Sequence, residues 1–319
     1  MTQIPMGGFG EFDRIRAIAT ALGDDAGPLG DDTAAIPVGK GTLVVSTDAS
    51  IENVHFRRSW LSLTEIGWRA TASALSDLAA AASLPVGITA AVTVPRDIAE
   101  AELVQLMLGV GDGARFAGCR VLGGDLSSGE CLAIAVTVFG YAERPMSRRG
   151  ATAGDGVWVT GALGGARAAL LAWLEGRPPE DAARAAFVHP EPRLGVARWL
   201  AANGATAMMD ISDGLGGDAQ HLAAASGVGL RLELERLPLH PSVVVAAGFV
   251  VEDPTLFAAV GGEDYELLVT LPRDFDGAEE CLAATGIPLT RIGSVRRDAG
   301  VVSTLMGAMI PVPGFEHRV

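Results

Sequence analysis

Short apolar runs rich in β-branched residues alternate along this chain with longer stretches of helical period. Phe12, Ile15, Ile18 and Ala19 share one face, which predicts a helix over 11–22, followed by a Gly/Asp/Pro-rich loop at 23–33. The run at 42–47 (TLVVST) predicts a strand delivering Asp48 at its end. Thr64 is expected to cap a helix reaching Ser83, with Leu75 and Leu78 facing inward and Asp77 near the end. A strand at 86–94 and a helix at 97–116 come next. Strands at 119–122 and 131–140 follow, with Gly123-Gly124-Asp125 expected as the turn between them.

A loop carrying Pro145 and Arg148-Arg149 leads to Gly154-Asp155-Gly156, where the pattern restarts. The second half predicts strands at 157–160, 206–210, 229–234, 266–271 and 290–295. Helices are expected at 165–176, 180–187, 192–203 and 215–226. Strands and helices alternate in both halves, so the fold class expected is α/β in two domains, 1–148 and 149–319.

Composition narrows the function. With 49% apolar and 19% charged residues among 319, the chain has material for a packed core. A formal charge of −14 argues against a nucleic-acid binder, which would present a basic stripe. Lys40 is the one lysine, and Gly41 follows it, so a Walker-type phosphate loop is excluded. The lysine, HRD and DFG of protein kinases are missing too. Cys119, Cys131 and Cys281 form neither a CxxC pair nor a disulfide framework. The first fifteen residues have no basic and apolar leader pattern, and no apolar run is long enough to span a membrane. The expectation is therefore a cytoplasmic protein with no membrane or nucleic-acid partner.

The chemistry lies in recurrent acidic clusters set beside small residues. They are Gly30-Asp31-Asp32, Ser46-Thr47-Asp48, Ser76-Asp77, Gly123-Gly124-Asp125, Asp210-Ile211-Ser212-Asp213-Gly214 and Gly261-Gly262-Glu263-Asp264. Taken singly, Gly30-Asp31-Asp32 reads more simply as a turn, and most of the others have a plain reading as a turn, a helix cap or an exposed acid. Ser46-Thr47-Asp48 is stronger because it ends an apolar strand. Taken together in one cleft they would repel, and hard cations such as Mg2+ are the economical remedy. Small neighbours let a backbone approach phosphate closely. The pattern predicts a metal-dependent phosphoryl-handling site drawn from distant segments.

The ordered motifs GDDTAAI, STDASIENVHF, LSDLAA, GGDLSSG, DISDGL and GGEDYELL closely resemble the thiamine-monophosphate kinase family, relatives of aminoimidazole ribonucleotide synthetase. The resemblance implies ATP-dependent phosphorylation of thiamine monophosphate to thiamine diphosphate with several Mg2+ ions. It matches Asp32, Ser46, Thr47, Asp48, Asp77, Asp125, Asp210 and Asp213 to metal ligands. Gly124, Asp125, Arg148 and Ser212 match positions near ATP, and His55, Glu263 and Phe315 match positions that hold the thiamine substrate. It also implies a homodimer formed through the N-terminal sheet, with the C-terminal domain completing the ATP cleft. The chain carries Ala74, Ala81-Ala82-Ser83 and Leu126 where the family commonly has Asn, Met-Gly-Ala and Thr.

Overall fold

The structure, a computed structural model, describes residues 17–18, 20–22 and 31–313. Residues 17–18 and 20–22 are helical, and the rest of the helix expected over 11–22 lies outside the described residues.

The first half builds a five-stranded sheet from β1 (Ala34–Val38), β2 (Gly41–Ile51), β3 (Leu84–Val94), β4 (Val121–Ser128) and β5 (Ala133–Ala142), in the order β1-β2-β5-β3-β4. All neighbours are antiparallel except β3 and β4. Helices α1 (Leu63–Ala80) and α2 (Glu100–Phe116) pack together against it. Their contact depends on two glycines. A Cβ on Gly67 would sit 2.1 Å from the Leu106 carbonyl oxygen, and one on Gly109 would sit 2.0 Å from that of Thr64. Gly67→Ala is therefore expected to lower the melting temperature, because the clash with backbone outweighs alanine's helix-propensity gain of about 1 kcal/mol. A melting temperature equal to or above wild type would contradict this packing.

Four expectations are corrected here. Ser62, not Thr64, caps α1, in a reciprocal box with Glu65. β2 runs on past Asp48 to Ile51, so Asp48 stands within the strand. Gly123-Gly124-Asp125 is not a hairpin turn but part of β4. The chain reaches β4 through α2 and pairs it in parallel with β3. β1 was not expected at all: its AAIPV is exposed throughout, and Pro37 suits a sheet edge.

The second half forms a seven-stranded sheet from β6 (Gly156–Thr160), β7 (Ala207–Ile211), β8 (Gly229–Glu233), β9 (Glu266–Leu271), β10 (Leu289–Arg296), β11 (Gly300–Leu305) and β12 (Ala308–Met309). The order is β12-β11-β8-β10-β6-β9-β7. β6, β7 and β9 are buried at every position, β6 and β9 as interior strands and β7 as an edge strand covered by α1 and α6. Helices α3 (Gly165–Leu174), α4 (Asp181–Val188), α5 (Leu194–Ala202) and α6 (Leu215–Ser226) belong to this half. So do α7 (Val243–Val250), α8 (Pro254–Ala259) and α9 (Ala278–Thr285). α1 lies between the two halves, touching β2 and β5 on one side and α4, α5 and β7 on the other. That position explains why a helix of a small domain is buried nearly all round.

Candidate active site

α1 carries the first carboxylate. Between Ile66 and Ala80 every residue of the helix is buried except Asp77. Alternation along β2 places Ser46 and Asp48 on one face and Thr47 on the other. Ser46 Oγ donates to Asp77 Oδ2 at 2.5 Å. The second carboxylate, Asp210, is near the end of β7, where its Oδ2 accepts from Ser76 Oγ at 2.7 Å. The third, Asp32, precedes β1, and its Oδ1 accepts from Arg148 Nη2 at 2.7 Å. Asp31 accepts the Arg148 backbone N–H at 3.1 Å, tying the 31–32 segment to the connection between the two halves.

These contacts bring Asp32, Asp77 and Asp210 together, with one oxygen of each within 4.8 Å of the others. The three come from segments up to 178 positions apart in the chain (210 − 32). Burial and mutual repulsion raise their pKa values. Asp77 is pushed well up, by burial first and then by Asp210 and Asp32, against the Ser46 hydrogen bond. Asp210 rises to about 7, by burial first and then by Asp32, with Ser76 and Arg148 pulling back. Asp32 rises through burial despite Arg148. Oxygen donors so placed, and so poorly neutralised by the protein itself, fit a divalent cation.

A pH dependence follows. A carboxyl whose folded pKa lies above its unfolded value stabilises below the unfolded pKa and loses that contribution as pH rises through the folded one. The metal-free protein should therefore lose thermal stability between about pH 4 and 7 through Asp210, with Asp77 acting in the same direction. Mg2+ competes with these protons, so its stabilising shift should be larger at pH 8 than at pH 6. Equal shifts in thermal melts at the two pH values would contradict the cluster as the metal site.

Beside the carboxylates opens a pocket of about 300 Å³ lined by His55, Arg57, Trp60, Phe187, Ser212, Asp213 and Glu263, among others. His55 Nδ1 accepts the Ile51 N–H at 3.1 Å, which makes Nε2 the ring's donor. One wall is aromatic: Trp60 stacks on Trp173 with ring centroids 5.2 Å apart, and the Arg57 guanidinium lies 4.5 Å from the Trp60 ring. The floor is a loop bonded to the end of β7. Glu263 N–H donates to Ser212 O and Tyr265 N–H to Ile211 O, with both residues at positive φ (69° and 51°).

The residues singled out in the sequence divide on the structure. Asp32, Asp77 and Asp210 converge, with Ser46 and Arg148 holding two of them. Asp48 is close enough for its charge to act on Asp77, Asp210 and Arg69. His55, Ser212, Asp213 and Glu263 share the pocket. The Thr47 side chain does not join them. It turns to the other face, its hydroxyl 2.9 Å from that of Thr137, because strand alternation separates it from Ser46. Gly124 and Asp125 also stand apart on exposed β4, where Asp125 accepts from Ser127 Oγ at 3.0 Å. Phe315 lies outside the described residues. Sequence reasoning passed over Arg57, Trp60 and Arg69, and named Ser76 only as the small neighbour of Asp77. Trp60 reads as an ordinary loop aromatic, and Arg69 and Ser76 as interruptions of an apolar helix.

Comparison with known proteins matches this geometry to a family. Residues 30–142 fit the model of the AIR synthase related protein N-terminal domain, and 152–305 that of the C-terminal domain. The chain is 34% identical over 312 residues to the thiamine-monophosphate kinase of Aquifex aeolicus, covering 97% of this chain and 98% of that one. It is 32% identical to the thiamine-monophosphate kinase of Bacillus subtilis over 90% and 91% of the two chains. Among solved structures, AaThiL complexed with AMPPCP and TMP superposes with a TM-score of 0.87 at 32% identity, covering 99% of this chain and 100% of that one. The hydrogenase maturation protein HypE in complex with ATP shares the fold at 20% identity and a TM-score of 0.70, covering 97% of each chain. The two matched domains and full-length identity above 30% establish that this chain belongs to the thiamine-monophosphate kinase family, within the AIR synthase-related fold.

Proposed function

We propose that this chain transfers the γ-phosphoryl group of ATP to thiamine monophosphate, giving thiamine diphosphate and ADP. The observation that carries the reading is a largely buried carboxylate trio contributed by both halves and opening beside a pocket with an aromatic wall and its own carboxylate. A thiamine ring system is cationic and planar, and suits stacking against Trp60 together with the charge of Glu263. A terminal phosphate oxygen of the substrate attacks the γ-phosphorus while the bond to the β-bridging oxygen breaks, and ADP leaves with that electron pair. A phosphate monoester's second pKa is about 6, so the nucleophile is largely ionised near neutrality and no strong general base is needed.

Asp32, Asp77 and Asp210 would hold Mg2+, with Asp48, Asp213 and Ser46 beside them. Bound there, the cations would screen the repulsion between two polyanions. The chain's own residues do the positioning. Arg148 fixes Asp32 and adds positive charge near the nucleotide phosphates, where we also place Ser212. His55 offers its Nε2 donor to the substrate phosphate. His55→Ala should lower kcat/KM for thiamine monophosphate by about tenfold, the worth of one hydrogen bond to a charged group, and an unchanged value would remove His55 from this role.

We place the domain boundary at 148/149, the enzyme in the cytoplasm, and the working unit as a homodimer formed through the open face of the first sheet. The dimer is supported by exposed apolar residues on β3, Leu84 and Val86. A chromatographic assay with ATP, Mg2+ and either thiamine monophosphate or free thiamine tests the reading. Thiamine diphosphate is expected from the monophosphate only, and only with metal. Nucleotide binding without that product would overturn it.

A further inference from the structure

α1 presents polar side chains to the second half along one stripe, and four of them are bonded across the boundary. Glu65 takes a two-pronged contact from Arg184 at 2.7 and 2.9 Å. Trp68 Nε1 donates to Pro190 O at 3.0 Å. Arg69, 4% exposed, donates to Phe187 O, pairs with Glu263 and lies 3.9 Å from the Phe187 ring. Ser76, fully buried, donates to Asp210. Arg69 and Ser76 are seven residues apart, so they repeat on one face after two helical turns, about 10 Å along the axis. The carboxylates they hold belong to a single unit, since Glu263 and Tyr265 are hydrogen-bonded to the end of β7, two and one residues beyond Asp210. Asp77 sits on the same helix, next to Ser76.

We propose that Arg69 and Ser76 are positioning residues that set the two functional carboxylates of the second half against the first: Ser76 aims Asp210 at the cation site and Arg69 aims Glu263 into the substrate pocket. Neither side chain is among those lining the pocket. A buried arginine with a carboxylate, a carbonyl and an aromatic ring around it is over-determined in direction, and so is the carboxylate it grips. That grip is needed because Glu263 stands at φ 69°, a conformation a non-glycine residue keeps only when its surroundings impose it. Likewise the Ser76 hydroxyl holds Oδ2 of Asp210, which restrains the carboxylate while one of its oxygens lies within 4.8 Å of an oxygen of Asp32 and of Asp77. The inference rests on the metal and substrate assignments proposed above.

Two binding measurements made without turnover separate the roles: Mn2+ titration by electron paramagnetic resonance, and calorimetric titration of thiamine monophosphate in the presence of a non-hydrolysable ATP analogue. Ser76→Ala should weaken Mn2+ binding by roughly tenfold, as loss of a partner to a metal ligand does, and leave thiamine monophosphate affinity within about twofold. Arg69→Met should do the reverse. Arg69→Lys, which keeps the charge without the fork, should show the same split in smaller degree and serves if the methionine variant does not fold. Equal weakening of both ligands in each variant would reduce the stripe to a structural hinge and overturn the proposal. Asp210→Asn and Glu263→Gln are the references. If either leaves its own ligand's affinity unchanged, the underlying site assignment fails. If both weaken their ligands while the α1 variants do not, the positioning role fails. In a Glu263→Gln background Arg69→Met should add nothing further for thiamine monophosphate, and an additive loss would contradict action through Glu263.

Discussion

Replacing Asp210 by Asn is expected to cut thiamine diphosphate formation by at least about 100-fold, since even an outer partner of a metal ligand is worth 10–100-fold. The same change should raise the melting temperature of the metal-free protein at pH 8. Asp210 is 3% exposed, and burial with its neighbours lifts its pKa to about 7, so at pH 8 its charge is a net cost to the fold. Asn keeps the shape and can still accept from Ser76 Oγ while removing that charge. Asp77→Asn should behave alike, because its carboxyl is raised by the same burial and the same neighbours. The pair of signs, activity down and metal-free stability up, is what a functional carboxylate cluster gives and a structural one does not. Near-normal turnover in either variant, or a lower melting temperature at pH 8, would contradict the assignment.

Arg148→Met is expected to lower both turnover and stability. Its side chain is largely buried and holds Asp32 at 2.7 Å, and Asp32 in turn has a side chain only 3% exposed. Removing one partner of such a pair leaves the other charge uncompensated, at a cost of about 3–5 kcal/mol. The methionine variant should therefore melt well below wild type, opposite in sign to Asp210→Asn, and lose at least about 100-fold in kcat. Asp32→Asn in the same background should recover part of the stability, having removed the stranded charge, without recovering activity. Arg148→Lys should not restore turnover, because a compact, strongly hydrated ammonium does not replace a guanidinium whose Nη2 is directed at Asp32. A lysine variant with wild-type kcat would show that only the positive charge matters.

Much of the fold was legible from residue order. The helix at 215–226 and the strand at 266–271 match the structure residue for residue, because each is bounded by clear punctuation. Gly214 and Gly227 frame the helix at positive φ, the latter as its left-handed cap. The strand is an unbroken buried run, ELLVTL. The errors fall where pairing over long range decides. Whether Gly123-Gly124-Asp125 turns or stays extended depends on β3, some thirty residues earlier. β1 exposes all five residues and so has no period to read.

For the site, the motifs named the carboxylates but not their grouping. Nothing local separates Asp77, which joins Asp32 and Asp210, from Asp125, which does not. Thr47 sits between two residues that face the site, yet alternation turns it away. Arg69, and the bond of Ser76 to Asp210, were hidden for the opposite reason. Both residues lie inside an apolar helix, where a polar residue reads as a blemish until the domain on its other side is present. The loss of periodicity in α1 was itself the signal, since a helix buried all round has two neighbours to serve.

The central claim is that Asp32, Asp77 and Asp210 form one cation site shared by the two halves. Titration of Mn2+ into the wild-type protein and the Asp210→Asn variant, followed by electron paramagnetic resonance with a non-hydrolysable ATP analogue present, tests it most directly. The account predicts tight Mn2+ binding by wild type that the variant loses by at least about tenfold, with the variant fully folded. Mn2+ bound equally by both proteins would place the metal elsewhere and contradict the site.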